Sequence, residues 1–563
     1  MGRLDYFAPG VYVEEVNRGS RPIEGMSMSV AGFVGFTEDI RGDAELLEPQ
    51  LIADWTQYLE CFAKPGSDGF TDFNAYLPFA VKGWFDNGGG RCWIVSLGTQ
   101  LPQPQSQAQD ESPPENQSIT AITTAGKHPS LELKLKPEQA EGGRINVIIE
   151  TDEPRPLEDN PDEEPFDTGE YFQLTVKQGE NVLEGPYRHL TMNPEVAPEE
   201  GTFVLTALQE SPYIDVEIKS DRGLPLARRP ANGYYEVAPP PEVYPAERLH
   251  QKLSGSRKNR RGVQGLFEID DVAMVACPDL MLAYERGLLN LEQVHGVMET
   301  MITGCENAAP SPAYRMVVLD APPVKTRRSQ APTSPEQSRP QDVKEWLDDF
   351  GRRSQFAALY YPWIKVPNPR ANGKGIYVPP CGHMMGVWCQ TDETRGVYKA
   401  PANVTPRGVL SLAYETNFRE QELLNPLGVN CIRKFPNRGL KIWGARTLVE
   451  PEITEWRYIS VRRLMSYIEK SIEQGTQWAV FEPNDEDLWA RVTRTVSNFL
   501  ERLWREGALF GSSPAEAFYV KCDKELNTPE TMILGRLYIE VGVCPVRPAE
   551  FIIFRVSQWS PNQ

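Results

Sequence analysis

The chain has 563 residues, of which 40% are hydrophobic, 24% are charged and 49 are prolines. This length predicts two to four domains, and so many prolines argue against a helical bundle. No apolar run approaches the roughly 20 residues that a membrane span requires, and the first residues lack the apolar core of a secretory signal. We therefore expect a folded protein that is made in the cytoplasm.

The net charge and the cysteine content indicate the state of the thiols and limit the expected partners of the protein. The nine cysteines include no CxxC pair, which in a cytoplasmic protein indicates free, mostly buried thiols. The net charge is −20, and residues 101–247 carry 28 acidic against 11 basic side chains. Because an acidic stretch repels phosphate backbones, we do not expect nucleic acid as a partner.

The first hundred residues predict an arm followed by an α/β unit. Val11, Tyr12 and Val13 form a short β-type run after a Pro-Gly pair, so residues 1–20 are expected to be an extended arm. Residues 28–36 are typical of a buried strand, and 91–97 of another. Two stretches between them have helical spacing.

A polar segment rich in proline and glutamine, residues 101–118, then predicts a linker. Short alternating apolar runs follow, among them 131–135, 145–150, 203–208 and 214–218. No helical period lies between them, so residues 119–237 are expected to form a small β-rich domain. Residues 238–262 predict a second linker, with prolines and a basic run.

Residues 266–320 alternate strand and helix patterns, which predicts an α/β unit. Residues 325–341 are expected to be an exposed loop, and residues 342–353 a short helix.

The C-terminal part has the clearest helical pattern. One helix is predicted to end at Gly475. Its apolar stripe consists of Ile459, Leu464, Met465, Ile468 and Ile472. A second helix is expected after Asn484 as N-cap, with Gly507 as its stop. Strands are predicted at 517–522, 537–543 and 550–556. The last has no successor to pair with, which suggests strand exchange between subunits.

Patterns that carry chemistry are scarce. The five histidines include no HExxH pair, and Cys381, His383 and Cys389 lack a fourth ligand and the spacing of a zinc site. The glycines at 88–90 follow a helix and precede a strand, whereas phosphate loops need the opposite order. The carboxylates near 150–170 lie in a proline-rich stretch typical of a solvated loop. We predict no catalytic, metal-binding or cofactor-binding residues, and therefore no enzyme.

Several motifs resemble one family. The stretch 459–523, which begins ISVRRLMSYIEKSIEQG, resembles the C-terminal domain of phage tail sheath proteins. VPPCGHMMGVWCQTDETRGVYKAPAN, at 378–403, is similar to their central segment, although Cys381 and Gln390 depart from the usual residues. APGVYVEEV (8–16) and NGGGRCWIVSL (87–97) are similar to further sheath motifs. The resemblance covers roughly 1–100 and 262–563, and members of the family carry variable inserted domains between these parts.

This resemblance implies an α/β (α+β) multidomain fold, in which the N- and C-terminal parts build a shared sheath core around an inserted domain. In chain order, the implied regions are an N-terminal strand arm (1–20), the first part of the core (21–100), a linker (101–118), an outward-facing acidic β-rich insert (119–237), a basic linker (238–262), the middle α/β part (263–440), a tube-facing C-terminal domain (441–545) and a C-terminal strand arm (546–563).

The resemblance also implies a structural subunit that stacks as hexameric rings around an inner tube and contracts to drive that tube through a target envelope. Implied partners are further copies of the chain, the inner tube, baseplate and cap proteins, and sister sheath proteins, with no nucleic acid, no direct membrane insertion and no cofactor. Assembly would occur in the bacterial cytoplasm. The chain would be a component of a phage tail or of a phage-tail-like particle.

Two sets of site residues follow from the resemblance. The arms would link neighbouring subunits through Val11, Tyr12, Val13, Phe551, Ile552, Ile553, Phe554 and Val556. Contacts with the tube would come from Arg462, Arg463, Arg494, Arg502 and Arg505, although ordinary surface salt bridges explain these arginines equally well. A carbohydrate-binding surface protein that acts through the β-rich insert is the alternative function, and a hydrolase is a weaker one.

Overall fold

A computed structural model describes residues 22–102, 119–126, 128–136, 145–153, 169–178, 181–198, 200–219, 223–237, 246–307, 314–326 and 329–553. The chain divides into two compact units. The larger unit consists of Met1–Pro102 together with Pro245–Gln563, and the inserted unit is Gln103–Tyr244. Helices and parallel and antiparallel strands occur together, which confirms the α/β class.

The first part of the larger unit has the predicted strand, two helices and strand, with one further strand, β2, that the sequence did not predict. Its elements are β1 (Ala31–Gly35), β2 (Pro49–Ile52), α1 (Trp55–Phe62), α2 (Tyr76–Asp86) and β3 (Cys92–Ser96). All five residues of β1 are buried, as expected for a central strand with apolar side chains on both faces. Helix α1 begins where the carboxylate of Asp54 accepts a hydrogen bond from the backbone N–H of Gln57 at 2.9 Å.

The described residues of the inserted unit form two mainly antiparallel sheets and two short helices. Its elements are β4 (Ile119–Thr123), β5 (Pro129–Leu135), β6 (Ile145–Thr151), β7 (Phe172–Gln178), β8 (Asn181–Thr191), β9 (Thr202–Phe203), α3 (Val204–Leu208), β10 (Ile214–Ile218), α4 (Pro225–Arg228) and β11 (Gly233–Val237). One sheet has the order β10-β5-β4 and the other β11-β6-β7-β8-β9, in which only the β8–β9 pair is parallel.

The predicted strand at 203–208 is wrong for most of its length, because residues 204–208 form α3. Val204 and Leu208 lie one helical turn apart and are both buried. A continuous apolar run of this length does not distinguish a buried strand from a buried helix.

The larger unit resumes with alternating helices and strands. These are α5 (Leu249–Ser254), α6 (Gly262–Leu266), β12 (Met274–Ala276), α7 (Asp279–Glu285), α8 (Leu291–Glu306), β13 (Met316–Asp320), β14 (Val324–Thr326), β15 (Ser329–Pro332), α9 (Pro340–Phe350), β16 (Ala357–Tyr361), β17 (Ile364–Pro367), β18 (Gly375–Val378), α10 (Cys381–Arg395), β19 (Ser411–Leu412), α11 (Phe418–Leu424), β20 (Val429–Phe435) and β21 (Gly439–Ile442). Strand β15 and most of β14 lie in 325–341, where the sequence predicted only a loop.

An eight-stranded sheet forms the centre of the larger unit, in the order β2-β3-β1-β12-β13-β16-β20-β21. All neighbouring strands are parallel except the two edge pairs, β2–β3 and β20–β21, which are antiparallel. From β1 the chain proceeds to β3 on one side, whereas β12, β13, β16 and β20 follow on the other. The direction of winding therefore reverses between β1 and β12.

The C-terminal part adds two long helices and a small sheet. Its elements are α12 (Ile459–Gly475), α13 (Glu486–Arg505), α14 (Pro514–Ala517), β22 (Phe518–Lys521), α15 (Pro529–Ile533) and β23 (Glu540–Val543). The N-cap of α13 is Asp485 rather than the predicted Asn484, because the Asp485 carboxylate accepts from the N–H of Leu488 at 2.8 Å. The Asn484 side chain instead accepts a hydrogen bond from the Trp489 indole at 2.8 Å.

No helix in the described ranges is both long enough and apolar enough to span a bilayer.

Candidate assembly surface

The small sheet of the C-terminal part lies on an apolar layer made by α12 and α13. Leu464 and Ile468 of α12 belong to the same buried cluster as Val492, Val496 and Phe499 of α13. These residues follow the i, i+4 spacing that puts apolar side chains on one helix face. Phe518 and Val520 of β22, with Val541 and Val543 of β23, are half-buried against this cluster. One face of the small sheet is therefore packed.

The edges of this sheet are open. Strand β22 pairs antiparallel with β23, with Phe518 opposite Val543 and Lys521 opposite Glu540. Each strand has a single ladder partner among the described residues, so each presents one outer edge. An outer edge with a packed face beneath it can accept hydrogen bonds from an added strand.

Large apolar side chains are exposed close by in the sequence. Phe551, Ile552 and Ile553 are 70%, 73% and 81% exposed. Phe481, which has a left-handed backbone (φ 64°), and Ile533 are also exposed. The Asn484 side chain donates to the Arg536 carbonyl at 3.0 Å, which joins the loop that follows Phe481 to the segment that follows Ile533. Exposed large apolar side chains are candidates for burial in protein–protein contacts.

The carboxyl edge of the parallel sheet is closed by the chain itself. Open α/β sheets commonly bind ligands where the winding reverses. Here Asp279, after β12, accepts hydrogen bonds from the backbone N–H groups of Phe36 (2.7 Å), Tyr76 (2.5 Å) and Leu77 (3.3 Å). Burial raises the pKa of Asp279 to about 7, and the three N–H donors oppose that shift. A Cβ on Gly35 would lie 2.3 Å from the Asp279 carboxylate, so this carboxylate fills the reversal point.

Two family models match consecutive parts of the larger unit. The phage tail sheath protein central domain matches residues 313–448, and the phage tail sheath C-terminal domain matches residues 453–558.

The chain contains the central and C-terminal domains of the phage tail sheath family.

Curated relatives of this sheath chain include tail sheath proteins of phages. The tail sheath protein of Salmonella phage ViI is 26% identical over 36% of this chain and 32% of its own length. A putative prophage major tail sheath protein of Pseudomonas aeruginosa is 26% identical over 38% of this chain and 54% of its own length. The match thus spans about a third to a half of these relatives.

Solved structures show the same fold over nearly the whole sheath chain. The anti-feeding prophage helical sheath in its contracted state has a TM-score of 0.53 and 22% identity, and covers 98% of this chain and 100% of its own. The contracted sheath complex of an extracellular contractile injection system, PVC, has a TM-score of 0.53 and 21% identity over 98% of both chains. A baseplate of the anti-feeding prophage, 6-fold symmetrised, has a TM-score of 0.52 and 22% identity over 99% of this chain and 100% of its own.

The predicted arm residues fall partly outside the described part of the sheath chain. Val11, Tyr12, Val13, Phe554 and Val556 lie outside the described residues. Phe551, Ile552 and Ile553 are described, and they form no strand although the sequence predicted one over 550–556. A strand needs a ladder partner, and none is present beside these three residues in the described ranges.

Two of the predicted tube-contact arginines are buried, and the prediction is corrected for them. Arg462 is 4% exposed and Arg463 is 1% exposed. The Arg462 guanidinium bonds the Glu469 carboxylate at 3.2 Å and lies over the rings of Trp456 and Phe356. Both lie on the core-facing side of α12, where a long side chain packs its stem and pairs its charge within the chain.

Arg463 is held by a carboxylate that the sequence analysis did not assign. Its NH1 and NH2 groups donate to Oδ1 and Oδ2 of Asp392 at 2.7 Å and 2.5 Å, and NH2 also donates to the Met28 carbonyl. The ring of Trp388 lies 5.1 Å from the guanidinium carbon. Burial acts to lower the pKa of Arg463, but the Asp392 carboxylate outweighs it and holds that pKa above its usual value.

The signal for this pair was already present in the central sheath motif. Asp392 is the third residue of the Gln-Thr-Asp tripeptide within the 378–403 segment, and it lies on α10. In the sequence analysis this segment supported only the family resemblance, although a buried ionised carboxylate is often paired with a cation.

The other three arginines, Arg494, Arg502 and Arg505, lie on exposed positions of α13. Arg494 lines a cavity of about 730 Å³ beside the turn after β22, together with Glu486, Lys524 and Glu525. Arg502 donates to the Ile23 carbonyl at 2.8 Å, and Arg505 pairs with Glu501. These three side chains are exposed to solvent, whereas those of Arg462 and Arg463 are buried.

Proposed function

We propose that this chain is the subunit of a contractile sheath, which polymerises as stacked hexameric rings around an inner tube and contracts to drive that tube through a target envelope. The observation that carries the proposal is the C-terminal sheet with two open outer edges over a packed apolar face. Solved structures of the same fold come from a helical sheath in a contracted state and from a baseplate that was 6-fold symmetrised, which supports the proposal.

Strand addition explains how the subunits would be linked. The two outer edges of β22 and β23 match in number the two arms expected at the chain termini. Main-chain hydrogen bonds to an added strand supply affinity whatever its side chains are. Burial of a large apolar side chain such as Phe551 or Ile552 contributes roughly 1.5–3 kcal/mol. A linkage of this kind stays intact while the bodies of the subunits rotate.

Energy for contraction would come from the assembly itself. Two packings of the same subunits that differ in free energy form a bistable system, and a baseplate signal would release the higher state. We expect no hydrolysis step in this process. Arg494, Arg502 and Arg505 of α13 remain the candidates for contacts with tube carboxylates, and the acidic inserted unit is expected to face outward.

Removal of residues 1–18 tests the linkage. We expect the shortened protein to remain a folded monomer that cannot build sheaths, because one outer edge of each small sheet would receive no strand. Electron microscopy of the variant and the full-length protein under the same conditions gives the measurement, and circular dichroism checks folding. Sheaths of normal length from the shortened protein would contradict strand exchange.

A further inference from the structure

The Glu550 carboxylate, close to the end of the described residues, bonds side chains from earlier parts of the larger unit. Glu550 accepts hydrogen bonds from the Arg446 guanidinium, with Nε to Oε1 at 2.9 Å and NH2 to Oε2 at 2.6 Å. The Asn425 amide donates to Oε1 at 2.8 Å, and the Tyr458 hydroxyl donates to Oε2 at 3.0 Å. Two-pronged pairing of arginine with a carboxylate is among the stronger hydrogen-bonded arrangements in proteins.

Arg446 is itself fixed to the parallel sheet. Its backbone N–H donates to the side-chain oxygen of Asn430 at 2.7 Å, and its carbonyl accepts from the Asn430 amide at 2.8 Å. Asn430 belongs to β20 and also donates to the Leu359 carbonyl of β16 at 3.2 Å. The backbone of Arg446 is therefore held by the parallel sheet independently of Glu550, and the Arg446 side chain is 9% exposed.

Side-chain exposure rises abruptly after Glu550. The Glu550 side chain is 20% exposed, whereas the next three residues are the exposed Phe551, Ile552 and Ile553. Burial acts to raise the pKa of Glu550, but the hydrogen bonds from Arg446 and Asn425 outweigh it and hold the pKa below its usual range. The carboxylate is thus ionised at neutral pH and keeps its pairing with the arginine.

We propose that Glu550 is a positioning residue, which fixes the point where the C-terminal arm leaves the subunit by binding Arg446, Asn425 and Tyr458. The proposal rests on the proposed sheath function, because it assigns a role to the base of an assembly arm. With this anchor, an arm that is bound by a neighbouring subunit starts from a defined place and is connected directly to the eight-stranded sheet. Without it, the arm would start further back in the chain, where the backbone N–H of Val546 bonds the Ala508 carbonyl at 3.1 Å.

Chymotrypsin cleavage after Phe551 tests the anchor in the full-length, unassembled protein. A protease must draw the residues on both sides of the cut bond into an extended form, so cleavage requires Glu550 to leave its partners. Glu550→Gln keeps the size of the side chain and removes its charge, and we expect cleavage to become roughly tenfold faster. Glu550→Asp, which keeps the charge, should be cleaved at a rate between the two.

A matched control is Glu415→Gln, because Glu415 pairs with Lys434 at 2.7 Å where both side chains are about 60% exposed. We expect wild-type cleavage from this variant. The thermal unfolding midpoint of all variants should stay close to wild type, since a general loss of stability would also accelerate cleavage elsewhere. An unchanged cleavage rate for Glu550→Gln would overturn the anchor.

Electron microscopy of the same variants separates this inference from the proposed function. Fewer or shorter sheaths from Glu550→Gln than from wild type support the positioning role. Faster cleavage with normal sheaths would overturn that role in assembly. If the wild-type protein builds no sheaths, the proposed function fails, and the cleavage rates still decide whether the anchor exists.

Discussion

The ion pair between Arg463 and Asp392 shows how strongly single residues bind the central and C-terminal parts of the larger unit together. The exposed fractions of the two side chains are 1% and 8%, and the pair joins α12 to α10. Removing one member of such a pair leaves the other charge buried without compensation. Breaking this buried pair is therefore expected to destabilise the fold more than breaking an exposed pair does.

Asp392→Ala should lower the free energy of unfolding by about 3–5 kcal/mol. The control is Glu415→Ala, which breaks the exposed pair with Lys434 and should cost at most about 1 kcal/mol. Denaturant unfolding of the full-length variants, followed by tryptophan fluorescence, gives both values. Equal losses from the two substitutions would show that burial of the Arg463 pair has no energetic consequence.

For single residues, the sequence showed which side chains are charged and which helix face is buried, but not which residues pair with each other. Arg462 and Arg463 could be placed on a helix, and their neighbours Leu464 and Ile468 indicated its buried face. The partner of Arg463 lies 71 positions earlier in the chain, within the central sheath motif, so no pattern within α12 itself points to it. Glu550 poses the same problem, because its partner Arg446 is 104 positions away.

Among the elements, the contact of α2 with α10 depends on glycine. A Cβ on Gly382 would lie 2.2 Å from the Ala80 carbonyl oxygen, and a Cβ on Gly386 would lie 2.7 Å from that of Trp84. Both obstacles are backbone atoms, so a side chain cannot move aside to relieve them. The two helices approach closely because these glycines leave room.

Gly386→Ala should therefore destabilise the protein by about 1–3 kcal/mol, although alanine is the better helix former. The control is Gly296→Ala in α8, where an added Cβ would meet no atom within 4 Å, and it should stabilise by up to about 1 kcal/mol. Thermal unfolding of the two full-length variants makes the comparison. A Gly386→Ala protein as stable as Gly296→Ala would contradict the close packing.

Elements with a strong local pattern could be predicted, and the others could not. The helices Ile459–Gly475 and Glu486–Arg505 agree with the predicted ones because their apolar stripes run over many turns. The short run at 203–208 formed a helix where a strand had been predicted, since few residues carried the signal. The strand expected at 550–556 is not formed over 550–553, and the proposed function would supply its ladder partner from a neighbouring subunit.

At the scale of the whole molecule, the two units differ in how far their strand order could be predicted from the sequence. The inserted unit has its own buried cluster, which includes Leu133, Val147 and Leu174, and its strands pair mostly with near neighbours in sequence. In the larger unit, β1 lies between β3 and β12, and the segment from β3 to β12 includes the whole inserted unit. Strand order across such distances could not be predicted from local patterns, whereas the α/β class could.

The central claim is that this chain assembles with itself into a sheath. Negative-stain electron microscopy of the purified full-length protein, and of particles from cells that produce it, tests this claim most directly. The proposed function predicts long, hollow, striated cylinders that are wide enough to hold an inner tube. Dispersed monomers alone in both samples would contradict it.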